Sequence, residues 1–375
     1  MKPILIVSDS PDCKSGLARI GRDIASRLHA AGAKVGYCGY WGRGGETPYP
    51  HLCAGPDPTK HLIPVTLAAN EFFNAGPGVV LFFYDPTWLI PFGGGDAVPT
   101  AGWENVAVQD WARRRKERGV ELWGSFPVDA HCPSGKLPSI TCDLLHHFDR
   151  FAAWTEYGRH VLARSVAECP VLPLGMECVW QGGKAERGRQ ILGVVGRPIL
   201  GAVGTNQQRK DWGLVFQAFS MMPEEWVLWI HIDRRHDYWN LNQLVEEYKL
   251  SDRVRLTKPL SDEQLADCYA ACAVTFAPGR GEGFGYPILE SQLAGTPCVA
   301  IEYAGGVELT PNHVMPAFLR PEGPYSFLRP VVEPGYLAVR LAGLLERGDP
   351  VQYLWENVWP RWETWFREGG VLGPR

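Results

Sequence analysis

Two kinds of hydrophobic pattern alternate along the chain: short continuous apolar runs, and longer segments whose apolar positions recur every three or four residues. "PILIVSDS" at the N-terminus is unbroken and apolar until it ends in small polar residues, the pattern of a strand buried on both faces. A loop, "DSPDCKSGLAR", leads into a helical pattern from about Leu17 to Ala31, and Gly32 stands where that helix should stop. "KVGYCGY" predicts a second strand, and "GVVLFFYD", "VELWGSF", "RFAAWT" and "CPVLPLG" predict further ones. "NVAVQDWARRRKERG", "CDLLHHF" and "GRHVLARS" have helical spacing, whereas the Gly- and Pro-rich stretch from Trp41 to Pro64 reads as loop. Strand and helix in alternation predict a parallel α/β sheet.

After a polar segment, "QGGKAERGRQ", which reads as a linker, the alternation restarts. "PILGAVG" is a new first strand, followed by a helix around "WGLVFQAF", the strand "WVLWIHID", a helix near "NLNQLVEEY" and the strand "VRLTK". "SDEQLADCYAAC" begins with a capping serine and an acidic first turn, and "AVTFAP" and "PCVAIE" are the next strands. The expectation is a second doubly wound sheet, and so two Rossmann-like halves facing a cleft. In the tail, "YLWENVWPRWETWF", Trp355, Trp359, Trp362 and Phe366 form one apolar helix face with a kink expected at Pro360. Such a stripe serves packing, which would tie the tail across both halves.

Composition narrows this picture without changing it. At 375 residues the chain exceeds most single cores, and 45% hydrophobic with 21% charged residues is the balance of a globular protein. A formal net charge of −4 exerts no overall pull toward nucleic acid or anionic membrane. The first apolar run is too short for a signal peptide, and no stretch approaches the ~20 apolar residues of a spanning helix, so a cytoplasmic protein without membrane insertion is expected. Ten scattered cysteines without a CxxC pair read as buried thiols in a reducing compartment. His146 and His147 are adjacent, so they point to different sides of a helix and read as structural; no metal or other cofactor is expected. No feature of the sequence assigns an oligomeric state.

Candidate chemistry gathers where strands hand over to helices. Ser15 and Gly16 precede the first helix, where free N–H groups would meet an anion, although an ordinary cap at Ser15 explains them equally well. At the equivalent corner of the second half, "GTNQQRKDWG" places Arg209 and Lys210 just before a helix starting near Asp211. Two cations there could stabilise a diphosphate leaving group. "GEGFGYPILE" then sets Glu282 on a glycine-rich loop and Glu290 within the helix that Pro287 opens, with seven residues between them. Carboxylates repel phosphates but accept hydrogen bonds from hydroxyls on either side of them, the layout of a sugar nucleotide.

"EGFGYPILE" resembles the E-x7-E signature of GT-B glycosyltransferases, especially the large retaining group called family 4. The likeness extends through "ESQLAGTPCVAIEYAGGVEL" and upstream through "LSDEQLADCYAACAVTFAPGRGEGFG". The resemblance implies an acceptor-binding domain over residues 1–185, a nucleotide-sugar domain over 196–350, and a helix over 351–375 that packs back on the first. It implies that Glu282 holds the donor sugar's hydroxyls and Glu290 the ribose, and that Lys210 contacts the diphosphate. Gly16 would approach the donor phosphates, and Phe284 and Gly285 would supply backbone near the sugar. The family's usual arginine falls at Thr205, a departure for which Arg209 is the candidate replacement. In the first domain Asp129, then His131, are the candidate catalytic groups after a middle strand, with Asp85 a further acid at "LFFYDP".

The implied co-substrate is a nucleoside-diphosphate sugar, UDP- or GDP-linked, and the outcome retention. The densest basic run, "WARRRKERG", is by default a solvated face but would suit a polyanionic acceptor. Phage-type enzymes that glycosylate hydroxymethylated bases in DNA are one loose likeness, and such an acceptor base would have to be flipped out of the duplex. A glycan or a small metabolite is the alternative acceptor, and a non-catalytic sugar-nucleotide binder the alternative class. A nucleotide-sugar epimerase shares the architecture but not the E-x7-E context. Neither domain's first strand leads into a dinucleotide fingerprint, and the glycines of "GRGEGFGY" do not fit the kinase pattern.

Overall fold

The computed structural model describes every residue except 43–44, 54–61, 90–109, 112, 234–237 and 375. It divides into two compact units: residues 1–128, 135–174 and 359–375 form the first, and 129–134 with 175–358 the second.

In the first unit the strands β1 (Ile4–Asp9), β2 (Val35–Tyr40), β3 (His51–Cys53), β4 (Gly78–Phe82), β5 (Val120–Phe126) and β6 (Arg150–Ala153) form one parallel sheet in the order β3-β2-β1-β4-β5-β6. Every residue of β1, β2 and β4 is buried, as their unbroken apolar character predicts. The first helix, α1 (Gly16–Ala30), is capped by Ser15, and Gly32 follows it with φ +83°. Two elements were not foreseen: β3 lies in the region read as loop, and the helix α2 (Leu62–Phe73) begins at its end. Residues 43–44 and 54–61 of that region, and 105–109 and 112 of the expected helix "NVAVQDWARRRKERG", lie outside the described residues. The helix α4 (Glu156–Ser165) matches its pattern, whereas α3 (Ser139–Leu145) begins ahead of "CDLLHHF" and ends before His146 and His147. "CPVLPLG" departs from expectation, adding only a one-residue bridge from Val171 to Ala153 instead of a strand.

The second unit opens with a correction. The polar segment read as a linker ends in a helix, α5 (Ala185–Leu192). It packs on α8 (Asp262–Ala271) so closely that a Cβ on Gly188 would lie 2.0 Å from the Asp267 carbonyl oxygen. The Asp267 carboxylate takes the Lys184 N–H at 2.8 Å and the Arg187 guanidinium at 3.2 Å, so polar residues that suggested exposure serve an interior carboxylate. Between α5 and α8 run β7 (Ile199–Thr205), α6 (Trp212–Ser220), β8 (Val227–Asp233), α7 (Leu241–Glu247) and β9 (Val254–Leu256). After α8 come β10 (Val274–Ala277), α9 (Tyr286–Leu293), β11 (Cys298–Ile301) and β12 (Asn312–Val314). The parallel sheet has the order β12-β11-β10-β7-β8-β9, the connectivity of the first sheet repeated. Ser261 and Gln264 form the expected capping box on α8. A separate antiparallel hairpin, β13 (Phe318–Glu322) with β14 (Phe327–Val331), and a helix, α10 (Pro334–Ala342), complete the unit.

The last helix, α11 (Trp355–Glu368), contains Pro360 and belongs to the second unit up to Val358 and to the first from Trp359. Within the first unit Trp362 and Phe366 are fully buried, and the Trp362 indole donates to the Pro173 carbonyl at 2.8 Å. Trp365, outside the expected stripe, is also buried, its ring 4.8 Å from that of Trp123. Trp355 packs in the second unit over Gly175, where a Cβ would lie 2.1 Å from the indole.

Candidate active site

In a sheet with this strand order the chain reverses direction between its first and fourth strands, and the loops leaving those two strands diverge to leave a crevice. In the second unit these are β7 and β10. The loop after β7 carries Arg209 and Lys210, and the loop after β10 carries Arg280 and Glu282. An isolated bridge between Lys210 and Gly279 holds the loops together, with the Arg280 N–H donating to the Arg209 carbonyl at 2.8 Å and the Asp211 N–H to Pro278 at 2.9 Å. Asp211 then caps α6 through the Leu214 N–H.

The side chains converge. Lys210 is buried and forms an ion pair with Glu282, which is also buried. Arg209 approaches the other Glu282 oxygen at 3.3 Å and donates to the Gly281 carbonyl at 3.1 Å. Glycine is required twice here. A Cβ at Gly279 would lie 2.0 Å from a Glu282 carboxylate oxygen, and Gly281 combines φ +134° with a Cβ position 2.1 Å from the Asp129 carbonyl oxygen. Gly285 has φ +117°, Pro287 in the first turn of α9 carries no N–H, and the Ile288 N–H donates to the Gly285 carbonyl at 3.0 Å.

Burial alone would raise the Glu282 carboxyl, but Lys210 and Arg209 outweigh it and hold the group below its ordinary range, an ionised acceptor at neutral pH. Burial also pulls the Lys210 ammonium below the ordinary lysine value, opposed by Glu282 and reinforced by Arg209.

Asp129 joins this cluster. Although it follows β5, the segment 129–134 belongs to the second unit, not to the first domain, where the sequence had set it. Asp129 lies 3.6 Å from Arg209 and accepts from Arg329 at 3.1 Å. Its neighbour His131 is attached to β14 through its carbonyl, which accepts from the Leu328 N–H at 2.9 Å, while its Nδ1–H donates to the Cys132 carbonyl. Glu290 sits on the second turn of α9, buried, and accepts from the Tyr269 hydroxyl of α8 at 2.9 Å. Phe284 turns its ring into the interior, edge-on to Tyr286 and Tyr353, so only its backbone is available to a ligand. The buried Thr205 hydroxyl has no hydrogen-bond partner among the described residues.

In the first unit Gly16 opens α1, where Ser15 donates to the buried Asp9 carboxylate and accepts from the Ala18 N–H. Asp85 caps its own turn by accepting from the Thr87 N–H at 2.8 Å.

Three residues escaped the sequence reading. Arg280 bonds Glu322 at 2.5 Å and nears Asp211 at 3.7 Å; Arg329 arrives from the hairpin; Tyr269 binds Glu290. Arg280 had a local signal, lying inside the glycine-rich loop; Arg329 had none.

Two parallel sheets of this order define a GT-B architecture. Residues 185–319 match the family described as "Glycosyl transferases group 1". A D-inositol 3-phosphate glycosyltransferase of Nocardiopsis dassonvillei is 33% identical over 102 residues, 26% of this chain and 24% of that protein. The match therefore spans about a quarter of that relative's length. Among solved structures, sucrose-phosphate synthase from Thermosynechococcus elongatus aligns over 100% of both chains with a TM-score of 0.73 at 17% identity. Anabaena HepE in complex with UDP aligns over 98% of this chain and 100% of its own, with a TM-score of 0.68 at 15% identity. These structures show the fold. Among the described residues no helix is long and apolar enough to cross a membrane.

Proposed function

We propose that the protein transfers a glycosyl group from a nucleoside-diphosphate sugar to an acceptor hydroxyl, with retention at the anomeric carbon. The observation that carries this reading is the cluster of buried Lys210 and Glu282 with half-buried Arg209 at the switch point of the second sheet. Lys210 and Arg209 would meet the diphosphate and stabilise the charge that develops as the sugar C1–O bond breaks. Glu282, kept ionised, would accept hydrogen bonds from sugar hydroxyls, and Glu290 from the ribose. Gly16 would let a phosphate approach the start of α1. The acceptor oxygen bonds to C1, and its proton passes to the departing phosphate oxygen, so no strong protein base is needed. The UDP bound by HepE makes a uridine diphosphate sugar the first donor to test.

For the acceptor, a small hydroxylated metabolite or a glycan is favoured over duplex DNA. Arg115 of the basic run is buried and bonded to Asp149 and to two backbone carbonyls, and Arg113 and Arg114 pair with Asp110. Much of the run is thus engaged within its own unit. The relative from Nocardiopsis is named for a phosphorylated cyclitol acceptor, which fits the same class.

The test is a panel of UDP-, GDP-, ADP- and TDP-sugars with sugar, cyclitol and hydroxymethylated-duplex acceptors. Nucleoside diphosphate release and the product anomer are followed by NMR. Turnover of one donor with retained configuration is expected. Absence of both turnover and nucleotide binding across the panel overturns the reading.

A further inference from the structure

The charged groups around Glu282 form a chain of alternating sign: Lys210, Glu282, Arg209, Asp129, Arg329. Three cations face two carboxylates, a surplus of one positive charge in side chains no more than one-third exposed. A buried surplus of this kind favours an anionic ligand.

The two arginines flanking Asp129 are held differently. Arg329 donates to the Asp129 carboxylate, to the Asp129 carbonyl and to the Arg280 carbonyl, each at 3.1 Å, and its side chain is 13% exposed. It rests against Gly281, where a Cβ would lie 2.4 Å from its Nη1. Arg209 is 33% exposed; it donates to the Gly281 carbonyl at 3.1 Å and lies 3.3 Å from Glu282 and 3.6 Å from Asp129. Arg329 is therefore the more enclosed of the two, and Arg209, the more exposed, is shared between two carboxylates.

Building on the donor reading above, we propose that Arg329 is a positioning residue for diphosphate binding. It keeps Asp129 as an internal counter-anion, from which Arg209 transfers to the incoming diphosphate. Without Arg329, Asp129 turns its full charge on Arg209, the surplus falls to zero, and the diphosphate loses its partner.

Titration calorimetry with UDP and with inorganic pyrophosphate, on the full chain, tests this through a mutant cycle. Arg329→Gln is expected to weaken both ligands about tenfold, the scale of one coupled charge contact. Asp129→Asn is expected to tighten both, and the double variant to bind at least as well as wild type. Rescue of this kind is not produced by a merely structural role. A double variant as weak as Arg329→Gln overturns the proposal. If Arg329→Gln does not fold, Asp129→Asn decides alone: tighter binding supports the proposal, weaker binding overturns it. Failure of wild type to bind either ligand instead removes the donor reading itself.

Discussion

The two sheets share one connectivity and differ in what their switch points carry. At the end of β1 the buried Asp9 carboxylate is met by neutral donors, the Ser15 hydroxyl and the Tyr84 hydroxyl at 2.9 Å. Beyond β7 and β10 the carboxylate Glu282 is met by Lys210 and Arg209. Topology thus supplies a crevice in both units, and loop residues decide what lines it: hydroxyls beside Asp9 in the first, a lysine and an arginine beside Glu282 in the second.

The largest expected effect falls on the edge beyond β7 and β10. Lys210→Ala should lower kcat/KM by about 100-fold or more, the scale of losing one preorganised contact to a leaving group. Wild-type turnover in that variant would remove the lysine from the site. Because the Lys210 pKa is depressed, its positive charge is lost at a lower pH than in an ordinary lysine. The kcat/KM profile, which reports free-enzyme groups, should therefore fall on an alkaline limb beginning below 10.5, and Lys210→Arg should abolish that limb. Glu282 has the opposite consequence for stability. Its lowered pKa contributes stability above the ordinary 4.5 that is lost as pH falls through the folded value.

A smaller effect compares two glycines with positive φ. Gly281→Ala adds a clash with Asp129 and Arg329 to backbone strain, whereas Gly32, φ +83°, has nothing within 4 Å of its Cβ position. Gly32→Ala should cost about 1 kcal/mol, and Gly281→Ala more, with loss of UDP affinity as well. Equal melting temperatures for the two variants would show that the packing around Gly281 is not a constraint. The smallest effect belongs to the β1 edge. Tyr84→Phe removes one hydrogen bond to Asp9 and should cost about 1 kcal/mol, a few degrees in Tm, with UDP affinity unchanged. A drop in affinity matching that of Lys210→Ala would erase the distinction between the edges.

Local physics made much of the molecule readable in advance. β1, β2, β4, β7, β8, β10 and β11 are continuous apolar runs, and α1, α6, α8 and α9 begin at Ser15, Asp211, Ser261 and Gly285, as cap and turn chemistry predicts. The glycines of residues 279–285, with Lys210 and Glu282, drew attention to one corner before any contact was known. Readings failed where pairing is remote. The supposed linker is helical because Lys184 and Arg187 answer Asp267, about 80 positions away, and the expected strand at Val171 finds only a one-residue bridge.

Residue type and spacing determined which segments become strands and helices and which corner holds a lysine beside a glutamate, because those depend on neighbours within a few residues. Only the tertiary structure decided that Asp129 joins the second unit and that Arg329 is its partner, 200 residues away in the chain. An ion pair is chosen by proximity in space, and a hairpin's Arg329 carries no local pattern that distinguishes it from any surface arginine.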